Sequence, residues 1–308
     1  MSTSLTPELM PDPKLPVTAE PEVVPARGTS PGRAKLLAFL RHRGTWIGGS
    51  LLVVFLLMAA LAPLLAPYDP LAVNADVGLT APSWAHPMGT DDFGRDILSR
   101  VVYGSRLSLV VGFSCVAISA VVGTLIGLLA GYFRGPTDSV LMRVMDVLLA
   151  FPGLVLALAL AAVMGRGMLS VIVAVGVAGV PTFARVTRGA VLGVVNTDYV
   201  LAARAVGCRS TWILRRHILP NVVAPVIVMT TLYLAYAVLY AASISFLGVG
   251  VQPPTAEWGA MTNAGRGVLV QGWWVSTFPS VMIMLFVLAV NVMGDSLRDA
   301  LDSKLRRS

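Results

Sequence analysis

Long apolar stretches that contain no charged residue alternate along the chain with short polar segments. Six such stretches lack Asp, Glu, Lys and Arg: residues 44–68, 107–133, 147–165, 167–184, 218–256 and 267–294. Each approaches or exceeds the roughly 17–25 residues with which a helix crosses a bilayer. One stretch alone would fit a buried helix of a soluble protein, but six in one chain do not. The pattern therefore predicts an all-α integral membrane protein with six transmembrane helices.

The predicted spans are rich in small residues and contain several prolines. The first four spans are expected at about 46–66, 107–132, 140–163 and 168–188. Small residues let helices approach closely in lipid, where apolar burial does not drive association; here they are Gly123, Gly127, Gly131, Ala174, Gly176, Ala178 and Gly179. Prolines near or within spans predict bends; these are Pro152, Pro181, Pro225 and Pro279. Three residues apart near the start of the third span, Arg143 and Asp146 are expected to form an ion pair.

Composition and charge support this interpretation and orient the spans. Of all residues, 56% are hydrophobic and only 13% charged, against about 25% charged in a soluble domain. With six spans, 18 of the 23 Lys and Arg residues fall on the side that also holds both termini. Positive charge concentrates on the cytoplasmic side of membrane proteins, so both termini are expected in the cytoplasm. The net charge of +7 is thereby explained without nucleic acid as a partner.

The regions outside the spans divide into short segments. Residues 1–33 are rich in proline and predict a disordered cytoplasmic tail. Residues 34–66 predict a basic membrane-proximal helix followed by the first span, and 303–308 a second tail. The basic helix fits an anchor on the inner leaflet or, as an alternative, a binding helix for a partner. The first span follows a long polar segment, so it is expected to be retained and not cleaved as a signal peptide.

The predicted outer segment, residues 67–106, contains a motif that approaches a phosphate-binding loop. Its core, "GTDDFGRD", has Gly89 and Gly94 at the right separation, but Arg95 replaces the lysine and Asp96 the hydroxyl residue. Three carboxylates would repel a polyanion, and cytosolic ATP does not reach the outer side. We therefore predict an external scaffold that contacts a partner protein, built from Gly89, Thr90, Asp91, Asp92, Gly94, Arg95 and Asp96.

Within that scaffold, a short amphipathic helix is expected to begin at Arg95 and stop at Gly104. Thr90 or Asp92 is expected to cap it, and Asp96 to pair with Arg100. A metal site formed by His86, Asp91, Asp92 and Asp96 is the alternative, but these residues lack the repeated spacing of metal ligands. No metal site is predicted, and two distant cysteines predict no disulfide.

The segment from Asn196 to Asn221 predicts two short helices joined at Gly207. Thr197 and Ser210 are candidate caps, and Asp198 suits the first turn of a helix. One apolar face is expected to comprise Tyr199, Ala202, Ala203 and Val206. Small residues on this face suit a knob that inserts into a groove of another protein. A plain interfacial connector is the alternative.

The predicted outer loop 251–274 resists a simple helix, since it contains Pro253-Pro254 and Trp258-Gly259. It is expected to dip into the membrane or to form a gate, with Gln252, Pro253, Pro254, Trp258 and Gly259 as its candidate residues. Trp273 and Trp274 suit an interfacial aromatic belt. Trp258 is expected to act as an interfacial anchor, with stacking on a substrate as the alternative.

Several of these stretches resemble one known family. "AARAVG", followed by "HILPN", is similar to the coupling loop of inner-membrane permeases of ABC importers, although Leu201 stands where many members have Glu. The stretches "HPMGTDDFGRDILSRVVYGSRLSL", "SFLGVGVQPPTAEWGAMTNAGR" and "NVMGDSLRDALD" resemble the C subunits of dipeptide and oligopeptide permeases. The resemblance spans about residues 35–302.

The resemblance implies a type I ABC importer permease fold in the bacterial inner membrane, with residues 107–302 as the transmembrane domain and 196–220 as the coupling loop. It implies four kinds of partner: a homologous permease, two ATP-binding subunits, an extracytoplasmic binding protein and a peptide substrate. Nickel complexes, glutathione or haem are alternative substrates. ATP and Mg²⁺ would bind the partner subunits, so this chain is expected to hold no cofactor and to catalyse no reaction. Residues implied in coupling are Tyr199, Ala202, Ala203, Arg204, Val206, Gly207, His217 and Pro220.

Overall fold

A computed structural model describes residues 39, 40 and 42–301, and most of these residues are helical. The tail 1–33, most of the predicted basic helix and residues 303–308 lie outside the described residues. The helices are α1 (Arg43–Ala60), α2 (Ala62–Leu65), α3 (Ile97–Phe133), α4 (Gly135–Leu149), α5 (Gly153–Met164), α6 (Met168–Val194), α7 (Asp198–Ala205), α8 (Ser210–Ile213), α9 (Leu219–Phe246), α10 (Trp258–Ala264) and α11 (Trp273–Leu301). A single π-helical turn, Leu214–Ile218, joins α8 to α9.

Five helices are long and apolar enough to cross a membrane, and the number is six if the bent pair α4 and α5 crosses as one broken span. This confirms the predicted all-α membrane architecture. The expected single helix at 140–163 is wrong, since α4 and α5 meet at 90°. Pro152 is the residue before α5; it cannot donate a backbone hydrogen bond, so the helix breaks there. Pro181, Pro225 and Pro279 lie inside continuous helices.

The helices place the loops at two opposite ends of a bundle. The "signature end" holds residues 67–96 and 247–272, where the indole Nε1 of Trp274 donates to the carbonyl of Thr90 (2.9 Å). The "loop end" holds residues 196–218. The first and last described helices both have their chain ends here: His42 lies 3.0 Å from the hydroxyl of Ser296. Residues 42 and 301 therefore share the end that carries the predicted coupling loop.

Two long helices, α3 and α6, pack closely along a seam of small residues. A Cβ atom on Gly127 would lie 2.5 Å from the carbonyl oxygen of Ala184, and one on Gly123 would lie 2.6 Å from that of Val180. At Gly131 the same atom would lie 2.8 Å from Val191. Backbones approach this closely only where one partner lacks a side chain. The predicted role of these glycines is thus confirmed.

Two ion pairs fix α4 against α6 near the loop end. Arg188 donates from Nε and Nη2 to both oxygens of Asp138, each at 2.6 Å. Asp146 accepts from Arg185 at 2.7 Å. The expected pair of Arg143 with Asp146 is therefore wrong: the carboxylate of Asp146 pairs across helices with Arg185 and not along its own helix. The first half of the broken span is joined to α6 by charge.

Candidate functional site

The signature end contains a buried ionic cluster centred on Asp91, which is 3% exposed. One oxygen of Asp91 accepts from the backbone N–H groups of Phe93 and Arg95, both at 3.0 Å. The other accepts from Nε of Arg95 at 2.7 Å and lies 3.8 Å from Nε of Arg100. Both guanidinium groups are also buried. Arg100 donates further to the carbonyls of Pro70 (2.9 Å) and Pro254 (3.3 Å), so the cluster joins three segments of the chain.

Asp96 is the cap of α3. One of its oxygens accepts from the backbone N–H and the hydroxyl of Ser99, both at 2.7 Å. The other lies 2.9 Å from Nδ1 of His86. The expectations that Thr90 or Asp92 caps this helix and that Asp96 pairs with Arg100 are therefore wrong. An oxygen that satisfies the first free N–H groups of a helix is the ordinary role of an aspartate at this position.

The helix also continues where it was expected to stop. Gly104 lies inside α3, which runs on to Phe133, and a Cβ atom there would approach Trp258 to 3.2 Å. Two other glycines do serve turns, since Gly89 and Gly94 have φ angles of +74° and +70°. A side chain on Gly94 would collide with the carbonyl of Asn74.

These contacts determine what the motif "GTDDFGRD", which resembles a phosphate-binding loop, can bind. The backbone N–H groups of Phe93, Arg95 and Ser99 point at the chain's own carboxylates, so they are not free to cradle a phosphate. Thr90 is buried: it accepts from Thr80 (2.9 Å) and donates to Gly78 (2.6 Å). Across residues 42–301, no three His, Cys, Asp or Glu side chains are grouped to hold a metal ion. Only Asp92 of the three acids is exposed.

The predicted gate loop packs beneath this cluster. Trp258 is fully buried and its indole donates to the carbonyl of Val101 at 3.0 Å. The expectation that Trp258 is an interfacial anchor is therefore wrong, and so is that for Trp274, which is 6% exposed. Trp273 is half-exposed, as an interfacial residue would be. A Cβ atom on Gly259 would lie 2.6 Å from Cα of Ala242, so α10 lies directly against α9.

Sequence reasoning missed Glu257, which caps α10. Its two oxygens accept from the N–H groups of Gly259 (2.9 Å) and Ala260 (2.8 Å), and the hydroxyl of Ser108 lies 3.4 Å away. Burial raises the pKa of this carboxyl, while the two backbone donors lower it. The sequence contains a signal for this cap, because an acidic residue stands directly before Trp258 and the short helix that follows. Gln252 closes the preceding turn by donating to the carbonyls of Gly248 and Gly250.

At the opposite end, α7 has a buried face and an exposed face. Val200 and Ala203 are buried among residues of α3, α6 and α9. Tyr199 and Val206 are 45% and 79% exposed, and Ala202 is exposed as well. The predicted apolar face is therefore wrong at Ala203, which turns inward. The other three positions form an outward surface held on a fixed base.

The turn after α7 depends on Gly207. Its φ angle is +80°, and its N–H donates to the carbonyl of Arg204 at 3.0 Å. Only glycine adopts this left-handed conformation without strain. The expected side-chain caps are absent: neither Thr197 nor Ser210 caps its helix, and Thr197 donates instead to the carbonyl of Val194 (2.7 Å).

Aromatic side chains join α7 to the start of α9. The ring of His217 lies 5.7 Å from that of Tyr199 and 5.0 Å from that of Trp212. The guanidinium of Arg204 stacks on Tyr132 at 5.0 Å. Pro220, the second residue of α9, is exposed. The surface formed by Tyr199, Ala202, Val206 and Trp212 is thus continuous with a long helix, and we call it the "docking surface".

Comparison with known proteins identifies the family. Residues 123–307 match the binding-protein-dependent transport system inner membrane component family, and residues 30–82 match the N-terminal transmembrane domain of oligopeptide transport permease C. The chain belongs to this family of ABC importer permeases. The chain is thus a multi-pass permease of the inner membrane.

Curated relatives and solved structures agree with this assignment. The chain is 44% identical, over 88% of its length and 91% of the relative's, to the di/tripeptide transport system permease DppC of Pseudomonas aeruginosa. It is also 44% identical, over 90% of its length and 92% of the relative's, to the glutathione transport system permease GsiD of Pectobacterium atrosepticum. An inward-facing structure of the MetNI methionine ABC transporter shares the fold, with a TM-score of 0.55 at 20% identity; the match covers 67% of this chain and 98% of that one.

Proposed function

We propose that this chain forms, together with a homologous permease, the membrane path of an ATP-driven importer of short peptides. An extracytoplasmic binding protein would deliver the peptide, and two ATP-binding subunits would bind and hydrolyse ATP with Mg²⁺. The chain itself would hold no cofactor and catalyse no reaction. Its contribution is a two-state rearrangement of helices that ATP binding elsewhere drives.

The observation that carries this proposal is the docking surface. Two buried residues, Val200 and Ala203, fix α7 to the bundle. Meanwhile Tyr199, Ala202 and Val206 face outward. A rigid apolar projection of this kind suits insertion into a groove of an ATP-binding subunit. Because α9 follows within the same cluster of side chains, a push on α7 would be passed to α9 and from there across the membrane.

Orientation follows from charge and from the position of the chain ends. The basic residues Arg204, Arg209, Arg215 and Arg216 all lie at the loop end, which favours a cytoplasmic location. Residues 42 and 301 share that end, so both termini would be cytoplasmic. The signature loop would then face outward, where its exposed Asp92 and Phe93 are available to the binding protein or the partner permease.

Peptides are favoured as substrate by the names of relatives that the chain matches over most of its length. DppC proteins of Pseudomonas aeruginosa and Haemophilus influenzae, at 44% and 39% identity, are described as carrying di- or tripeptides. Glutathione, itself a modified tripeptide, is the second candidate because the glutathione permease is equally similar. A nickel complex or haem remains an alternative without a specific observation in its favour.

The test is uptake by the complete transporter in proteoliposomes with its binding protein outside and ATP inside. We expect saturable uptake of a labelled dipeptide, with little uptake of nickel ions or haem. Omission of ATP or of the binding protein should abolish it. Uptake of glutathione alone would favour the second candidate, and uptake of neither peptide would contradict the proposal.

A further inference from the structure

A groove opens between α9, α10 and α11 at the signature end of the bundle. Its volume is about 440 Å³, and its walls are mainly apolar, with Leu239, Phe246 and Met284 among them. Sites for small ligands commonly measure about 300 to 1,000 Å³ and combine apolar walls with a few polar groups. The groove is therefore large enough for a short peptide, but its polar groups decide whether a peptide suits it.

Three hydroxyl groups line the groove, those of Ser243, Thr262 and Ser280. Ser243 donates to the carbonyl of Leu239 (2.7 Å), Thr262 to that of Trp258 (2.9 Å) and Ser280 to that of Ser276 (2.8 Å). A hydroxyl has one hydrogen to donate and two lone pairs. The hydroxyl oxygens of Thr262 and Ser280 also lie 3.3 Å apart, so one of them accepts from the other. Each of the three oxygens still keeps at least one lone pair that a ligand can use. They suit a ligand that brings N–H donors.

A cation lies against one wall residue of the groove, although Arg266 is not itself among the residues that line it. The guanidinium of Arg266 lies over the ring of Phe246, 5.0 Å from its centroid, so the wall of the groove holds the charge in place. Arg266 is exposed, and none of the ion pairs formed by residues 42–301 includes it. By contrast, Arg95, Arg185 and Arg188 each pair with an aspartate. A planar guanidinium with free N–H groups matches a carboxylate through two parallel hydrogen bonds.

We propose that this groove binds the main chain of a peptide in transit, with Arg266 holding the α-carboxylate. The oxygens of Ser243, Thr262 and Ser280 would accept from the ammonium group and the peptide N–H. The apolar walls would contact side chains without requiring a particular one, which suits a carrier of many sequences. This inference rests on the proposed import of peptides and adds the contacts that the path makes with them.

The position of the groove fits a role in transport. α9 starts beside the docking surface and ends at Phe246, so one helix joins α7 to the groove. Movement of α9 would separate Ser243 and Phe246 from Thr262 and Ser280 on the neighbouring helices. Release of the peptide would then follow from the same motion that ATP binding drives.

The test measures whether a peptide with a free carboxylate protects a cysteine at position 243 in the groove from labelling by a maleimide. Ser243→Cys is introduced with Cys208→Ser, and the complete transporter in vesicles is labelled with a maleimide in the presence of alanyl-phenylalanine or its C-terminal amide. We expect the free acid to slow labelling about tenfold more than the amide does, since a charged hydrogen-bonded pair forms only with the acid. Arg266→Gln should remove this difference, and Arg266→Lys should restore part of it.

The matched control is Arg166→Gln, which removes an exposed arginine from a turn at the same end. It should leave the difference between acid and amide unchanged. An unchanged difference in Arg266→Gln would overturn the inference. Absence of labelling with or without peptide would overturn it too, because the partner permease would then cover the groove.

Dipeptide uptake keeps the two proposals separate and does not require the introduced cysteine. Arg266→Gln should raise the KM for uptake of the free acid about tenfold, whereas Arg166→Gln should leave this KM near the wild-type value. Normal uptake by wild type and by Arg266→Gln alike would overturn the groove assignment alone. No uptake by wild type would overturn the proposed function itself.

Discussion

At the scale of single residues, the signature end depends on one buried carboxylate. Asp91 is the only acid in contact with both Arg95 and Arg100 among the described residues. Replacing it with asparagine would leave two buried guanidinium groups without a counter-charge. Removing one partner of a buried ion pair typically costs about 3–5 kcal/mol. We therefore expect Asp91→Asn to lower the thermal unfolding temperature of the purified transporter markedly.

Asp92→Asn is the matched control, because this neighbouring acid is exposed and the same change removes the same charge. Its unfolding temperature should stay close to that of wild type, since exposed charges contribute about 0–1 kcal/mol. Equal unfolding temperatures for the two variants, measured by the fluorescence of a thiol-reactive or tryptophan probe on heating, would contradict the buried cluster.

At the scale of elements, the sequence predicts the existence and type of the spans better than their internal connections. Lack of charge over 20 or so residues is a local property, and it locates the five long helices but not the break between α4 and α5. Which acid pairs with which arginine depends on how helices pack. Asp146 shows this: Arg143 is near in sequence, but Arg185 is the partner in space. Likewise Asp96 contacts His86, ten positions earlier, in a segment that folds back between Thr90 and Asp96.

Burial was equally hard to predict from the sequence at the signature end. A tryptophan next to a glycine in a predicted outer loop is typical of an interfacial residue, yet Trp258 is fully buried. The reason is Gly104 in α3, because a residue without a side chain at this position makes room for the indole. Contacts between residues more than 150 positions apart, such as Trp258 with Val101, leave no periodic pattern along the chain.

The turn after α7 offers a test of coupling at this scale. Valine at position 207 would have to adopt a φ angle of about +80°, which is an outlier for a β-branched residue and costs about 1–3 kcal/mol. The turn should therefore shift and displace α7 from the position in which we propose that it contacts the ATP-binding subunit. We expect Gly207→Val to assemble normally but to transport roughly tenfold less peptide per ATP hydrolysed, as about 1.4 kcal/mol implies.

Gly193→Val controls for the added bulk. A Cβ atom at either glycine would meet nothing within 4 Å, but only Gly207 has a positive φ angle. Transport per ATP should therefore remain near the wild-type value in Gly193→Val. The coupling role of α7 is wrong if Gly207→Val transports as efficiently as this control.

At the scale of the whole molecule, the two ends of the bundle must face opposite sides of the membrane. The proposed orientation puts the signature end outside, and it can be tested with one introduced cysteine at each end. Ala85 and Ser210 are both exposed, and Cys208→Ser removes the native cysteine that is only partly buried. The remaining Cys115 is fully buried, so it should contribute little background.

Membrane-impermeant maleimide added to intact spheroplasts should label Ala85→Cys and leave Ser210→Cys unlabelled until the membrane is opened. The reason is charge: the loop end carries most of the described arginines, and moving this cluster across the membrane is unfavourable. The reverse labelling pattern would place α7 outside the cell. There α7 could not meet a cytosolic ATP-binding subunit, so reversed labelling would refute both the orientation and the docking role of α7. Equal labelling of both sites in intact spheroplasts would show that the chain inserts in two orientations.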